Sequence, residues 1–148
     1  MSAQIELRGV GQVFSVRGDD DRRKRDFVAL QGVDLTVRAG EFLTLVGPSG
    51  CGKSTILDLV SGLTTPTSGT VVVDGQEVTG PGLDRGVVFQ QYTLLPWRTA
   101  RQNIELALEA AGVRTKAARV ERADRYLELV GLTEFAHRYP HELSGGMK

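Results

Sequence analysis

Gly47-Pro48-Ser49-Gly50-Cys51-Gly52-Lys53-Ser54-Thr55 stands between an apolar run, Phe42-Leu43-Thr44-Leu45-Val46, and an apolar-periodic stretch, Ile56-Leu57-Asp58-Leu59-Val60. The order predicts a strand, a glycine-rich turn and the start of a helix. It fits the phosphate-binding pattern G-x-x-x-x-G-K-[ST] with its context on both sides. Successive backbone N–H groups from Gly50 to Thr55 can curl around an anion, because the glycines carry no Cβ to block close approach. The following helix brings its free N–H groups and positive dipole end to the same point. Lys53 adds a compact positive charge for the outer phosphates, and the Ser54 hydroxyl is placed to ligate Mg²⁺.

With 148 residues, 41% of them apolar and 24% charged, the chain can build one substantial core. Lysine plus arginine balance aspartate plus glutamate at 18 each, so nothing in the charge points to a nucleic-acid partner. The first part is β-branched and glycine-rich, whereas the stretch after Thr99 is rich in Ala, Leu, Glu and Arg. A β-containing core followed by a helical segment is expected. Cys51 stands alone and has no disulfide partner, so a reducing compartment is the default; it reads as a small filler in the loop. The first residues lack the apolar segment of a signal peptide, and no stretch is long enough to span a bilayer.

In order, Ile5, Leu7 and Val10 predict a strand continuing toward Val13-Phe14, and Val33, Leu35 and Val37 alternate as a half-buried strand. The charged run from Arg17 to Asp26 reads as a solvated loop. Phe14 can stack on a flat base, but spacing alone favours a core role. Gly62 closes the first helix, Thr70-Val73 is a short strand, and Asp74-Gly75 is a hairpin turn into Gln76-Val78. Gly86-Val87-Val88-Phe89 predicts a buried strand ending at Gln90, where open α/β sheets bind ligands. Gln90 there can hold a Mg²⁺-bound water, orient an attacking one, or merely cap the strand. Leu94-Leu95-Pro96-Trp97 is an apolar loop that either packs on the chain's own helices or docks a partner. Helices are expected over Thr99–Ala111 and after an N-cap at Thr115, where Val120, Ala123, Leu127 and Val130 form the buried face. Glu121 and Arg125 are spaced as an ion pair, and His137 and His141 lack the companions of a metal site.

The phosphate loop, Gln90 after a strand, and Leu143-Ser144-Gly145-Gly146 in that order resemble the ATP-binding subunit of ABC transporters. The last motif is similar to that family's signature. Gly80-Pro81-Gly82-Leu83-Asp84-Arg85-Gly86-Val87-Val88-Phe89-Gln90 and Leu94-Leu95-Pro96-Trp97-Arg98 resemble the branch serving nitrate, taurine, alkanesulfonate and related small solutes. The resemblance implies an α/β fold: a P-loop NTPase core with a partial parallel sheet, an N-terminal antiparallel β subdomain and a helical subdomain. Residues 1–40 would be mainly the antiparallel part, 41–91 the core, and 92–148 the helical part ending at the signature. ATP and Mg²⁺ are the implied cofactors. Phe14 falls where the family places its adenine-stacking aromatic, which reverses the preference for a core role. Gly47 to Thr55 would hold the phosphates, with Ser54 and Gln90 toward Mg²⁺ and Lys53 and Gln90 serving catalysis. Ser144, Gly145 and Gly146 would bind the γ-phosphate of ATP held by a second ATP-binding subunit. Residues from Gln91 to Trp97 would meet a membrane-spanning permease, itself served by an external solute-binding protein, at the cytoplasmic face of the membrane. Met147 replaces the glutamine commonest at its position and leaves the backbone donors intact.

The family pattern continues with an apolar strand ending in Asp-Glu and, further on, a switch histidine. Neither follows here, so the resemblance implies a fragment or truncated product of a longer ATPase that folds poorly alone. The alternative is a nucleotide-binding fragment without hydrolytic activity. The absent strand is expected to leave an apolar edge open beside the phosphate-loop strand.

Overall fold

A computed structural model describes residues 4–17 and 24–148. By their internal packing the residues form two compact units, Met1–Val87 and Val88–Lys148.

The first unit is built on a four-stranded antiparallel sheet of order β2-β1-β3-β4, with β1 over Ile5–Arg17, β2 over Lys24–Val37, β3 over Ser68–Val73 and β4 over Gln76–Glu77. β1 is central. It pairs with β2 through Ile5 to Val37, Leu7 to Leu35 and Val10 to Val33, and with β3 through Ile5 to Val73 and Leu7 to Val71. The β1–β2 register slips between Leu7 and Val10, where Gly9 gives its N–H to the Asp34 carboxylate at 2.7 Å. Such bulges bend a strand and sharpen its twist. The alternation of Val33, Leu35 and Val37 emerges as expected, each half-buried between exposed neighbours. The charged run contributes more strand than its composition suggests. Arg17 pairs with Lys24, Val16 with Arg25 and Ser15 with Asp26, and the middle of the run lies outside the described residues. Cross-strand pairing, including a Ser15 Oγ to Asp26 hydrogen bond of 2.7 Å, outweighs the low β-propensity of the charges there.

Helix α1, Lys53–Ser61, lies on this sheet. Its Leu59 is fully buried in a cluster with Leu7, Val10, Leu30, Val71, Val73 and Val78. Gly62 ends the helix in the left-handed region at φ 78°, with its N–H on the Leu59 carbonyl at 3.1 Å. A side chain at Gly62 would also collide with the backbone of Gly80, so no other residue fits that stop.

Two expected strands are not strands. Residues 42–46 and 86–89 have no ladder partner among the described residues, and every strand pairing present is antiparallel. Phe42 is 92% and Val88 100% exposed, the opposite of buried inner strands. The reason is that an inner strand is made by its neighbours, which must supply hydrogen bonds along both edges and cover on both faces. The antiparallel sheet also reaches past residue 40, drawing in residues 68–77.

The second unit holds α2, Ala100–Ala110, and α3, Lys116–Leu129, followed by 3₁₀ turns over Thr133–Phe135, Pro140–Glu142 and Gly145–Met147. Thr99 and Gln102 form a reciprocal capping box, and the Thr115 hydroxyl accepts the Ala118 N–H at 3.3 Å. Ala123 and Leu127 of α3 are buried as expected, but Val130, the C-cap of the helix, is exposed. An ion pair of α3 forms instead between Arg101 and Asp124, 2.7 Å, joining α2 to α3; Glu121 with Arg125 is not among the ion pairs of the described residues. A bridge between helices fixes their packing, whereas a pair along one exposed helix face gains little. No helix among the described residues is long and apolar enough to cross a membrane.

Leu59→Ala is expected to lower the unfolding free energy by about 2–5 kcal/mol, the usual cost of a cavity in a closed core. Denaturant unfolding measures it, and a loss within error of zero would contradict the placement of Leu59 at the centre of the first core.

Candidate functional site

The loop from Gly47 to Gly52 has its tightest point at its end. Gly52 is the N-cap of α1 at φ 94°, and a methyl there would meet the Leu30 side chain at 2.7 Å and the Ala29 carbonyl oxygen at 3.0 Å. The backbone needs a left-handed residue and β2 leaves no room for a side chain, so glycine alone satisfies both demands. One consequence is electrostatic. Gly52 has no side chain to cap α1, and the N–H groups of Lys53, Ser54 and Thr55 find no protein acceptor among the described residues. The other two helices are capped by Thr99 and Thr115. Of the three N-termini, the one after the glycine loop is open to an anion.

Lys53 bends back over the loop, its Nζ donating to the Gly47 carbonyl at 2.8 Å and the Pro48 carbonyl at 2.7 Å, with the Cys51 sulfur at 3.5 Å. Two carbonyl oxygens hold the ammonium in place, and the sulfur is a weak acceptor that a phosphate oxygen can displace. The Ser54 side chain is exposed on the first turn of α1 and makes no hydrogen bond among those described. Ser49, Gly50, Gly52, Lys53, Ser54 and Thr55 line one side of a groove of about 510 Å³ whose other side is Phe14, Phe27 and Ala29. Phe14, expected from the residues alone in the core, is 38% exposed and faces this groove. Phe27 is a lining residue that sequence reasoning missed; its signal was the hairpin register, which sets it opposite Phe14.

In the second unit Gln90 is exposed at a bend leading into the loop that ends at Arg98. That loop is divided between the two fates expected for it. Leu94 packs on a cluster formed by Ala100, Leu127, Ala136 and Leu143, whereas Trp97 is 70% exposed. Asn103 clamps the loop, accepting the Leu95 N–H at 2.8 Å and donating to the Leu95, Arg98 and Thr99 carbonyls at 3.0–3.3 Å. Nothing in the sequence marked Asn103 for this, since an asparagine inside a helix reads only as a weak helix former.

Leu143 is buried in the same cluster and anchors the turn that presents Ser144, Gly145 and Gly146, all exposed. The Met147 N–H closes the turn on the Ser144 carbonyl at 3.1 Å, and the Met147 side chain packs inward. The Ser144 hydroxyl makes no capping bond. Tyr92 was also missed: a Cβ on Gly145 would lie 3.0 Å from its hydroxyl, so Gly145 keeps that approach open.

Profile comparison matches the family described as "ABC transporter" over residues 30–148. The chain belongs to the ABC transporter family. Within it, the nitrate import ATP-binding protein NrtD of Synechocystis sp. is 54% identical over 144 residues, covering 97% of this chain and 52% of that protein. An uncharacterized ABC transporter ATP-binding protein of Methanocaldococcus jannaschii is 45% identical over 148 residues, covering 100% and 53%. A dimeric ATP-binding cassette solved in a post-hydrolysis state with ADP and Pi superimposes at TM-score 0.79 with 34% identity, covering 97% of this chain and 64% of that one. The chain spans about half the length of the curated relatives it matches. The α/β P-loop fold expected for an ABC cassette is therefore borne out at the level of the family.

One ionisable group beside the signature turn is perturbed. The Glu142 carboxylate accepts the Tyr139 N–H at 2.7 Å and Arg138 Nη1 at 3.0 Å, and these, the backbone donor first, hold its carboxyl below the ordinary value. A depressed folded-state value means that its stabilisation is present above the unfolded value, about 4.3, and is lost as pH falls through the folded one. The unfolding midpoints of the wild type and Glu142→Gln should differ at pH 7 and draw together as pH falls below the ordinary carboxylate range. A difference unchanged across that range would contradict the role of the charge.

Proposed function

We propose that this chain is the nucleotide-binding part of an ATP-binding subunit that couples ATP binding and hydrolysis to import of a small solute, nitrate, sulfonate, taurine or similar, through a membrane partner. The observation that carries the reading is the uncapped N-terminus of α1 beneath Gly52, with the Lys53 ammonium held over the loop carbonyls. Residues and cofactor fit one another. Free N–H donors and a lysine suit phosphate oxygens, and the groove beyond them ends in aromatic surface suited to a base. Ser54 supplies one hydroxyl for Mg²⁺. The phosphate oxygens of a bound nucleotide would share the ion with it. The chemistry such an ion would supply there is neutralisation of phosphate charge.

In this reading Gly47 to Thr55 cradle the phosphates, Lys53 stabilises charge on the transferred group, and Phe14 stacks on adenine. Gln90 is assigned the role of sensing Mg²⁺ and the γ-phosphate. Ser144, Gly145 and Gly146 serve ATP held by a second subunit: a free hydroxyl and bare backbone N–H groups on an exposed turn suit that task. Residues Gln91 to Trp97 meet the permease, a reading supported by the exposed Trp97 ring on a loop clamped by Asn103. The solute-binding protein acts on the far side of that permease, and the subunit sits peripherally at the cytoplasmic face. We assign residues 1–40 mainly to the antiparallel subdomain, 41–91 to the phosphate-binding core and 92–148 to the helical subdomain. The nitrate import relative supports the solute class.

Lys53→Ala in the full-length subunit should lower ATP turnover on the order of 10²-fold or more, the scale seen when one preorganised charge-stabilising donor is removed. Turnover equal to wild type would refute the assignment.

A further inference from the structure

We propose that Phe27 is a second aromatic wall of the nucleobase subsite, facing the base together with Phe14, and that it sets how strongly the site favours a large base over a small one. The proposal rests on the nucleotide-binding reading of the groove. Phe14 and Phe27 are directly opposed in the antiparallel β1–β2 pair, and opposed residues project from the same face of a sheet. The rung is locked by its neighbour, where Ser15 Oγ donates to the Asp26 carboxylate at 2.7 Å.

Spacing to the phosphate loop is fixed by β2 itself. The register steps from Val13 opposite Val28 to Gln12 opposite Leu30, which leaves Ala29 as the extra residue of a bulge. That bulge lets Leu30 turn into the core while Ala29 lines the groove, its carbonyl oxygen against the position where Gly52 has no Cβ. The rings are thus carried by the strand pair on which the phosphate loop packs at Gly52, with the small Ala29 between rings and loop.

Phe27 is 55% exposed and Phe14 38%, so two large apolar faces stay open to water on one side of a groove whose other side is the phosphate loop. Among the described residues the hairpin's side of the groove is Phe14, Phe27 and Ala29, three apolar side chains. Recognition there works by stacked area, and a purine offers more of it than a pyrimidine.

Calorimetric titration of the purified full-length subunit with ATP and with UTP tests this. Wild type should bind ATP more tightly than UTP. Phe27→Ala should weaken ATP binding by about tenfold, the scale of losing one stacked ring, and bring the ATP-to-UTP ratio toward one. Phe27→Tyr should restore both. Thermal unfolding identifies folded variants, and partial exposure of Phe27 makes the truncation tolerable. ATP affinity unchanged in Phe27→Ala, or an equal loss for both nucleotides, would overturn the proposal. A wild type that binds neither nucleotide would instead refute the underlying reading of the groove.

Discussion

The approach of the glycine loop to β2 governs both packing and chemistry in the first unit. At Gly52 the chain turns left-handed within van der Waals reach of the Ala29 carbonyl and the Leu30 side chain. Leu30 belongs to the core that also holds Leu59 of α1, so the turn is gripped from below by the same cluster that seats the helix. Because the turn must be glycine, the helix that follows has no side-chain cap, and its first N–H groups stay unspent. Sheet packing thereby leaves these N–H groups open to an anion, and the Lys53 ammonium, tied to two loop carbonyls, stands over the same loop.

The same economy explains the hairpin. β1 carries its core residues along its first part and β2 along its last, and the pair extends beyond them as a two-stranded arm whose aromatic rung borders the groove. A bulge at Ala29 separates the two roles, since shifting register is how a strand can bury one residue and offer the next to a ligand. In the second unit the signature turn and the Trp97 loop share one small core, through Leu143 and Leu94.

Much of this was legible in the chain. The glycine loop, the stop at Gly62, the turn at Asp74-Gly75 and the cap at Thr115 are local features, decided by backbone conformation or by one hydrogen bond within a few residues. What escaped reading is set by distant neighbours. Bulges near Gly9 and Ala29 shift the register, so the opposition of Phe27 to Phe14 follows from pairing and not from composition. Asn103 and Tyr92 act through contacts made only once the loop and the signature turn are placed. Residues 42–46 and 86–89 have the composition of inner strands but remain unpaired, because a strand's state belongs to the sheet around it.

The central claim is that backbone donors at the start of α1, freed by Gly52, hold the phosphates. Amide NMR shifts of Lys53, Ser54 and Thr55, recorded on titration with Mg·ATP and separately with adenosine, test it most directly. The account predicts large shifts at these three amides with ATP and none with adenosine. Unmoved amides at saturating ATP, or equal movement with both compounds, would contradict it.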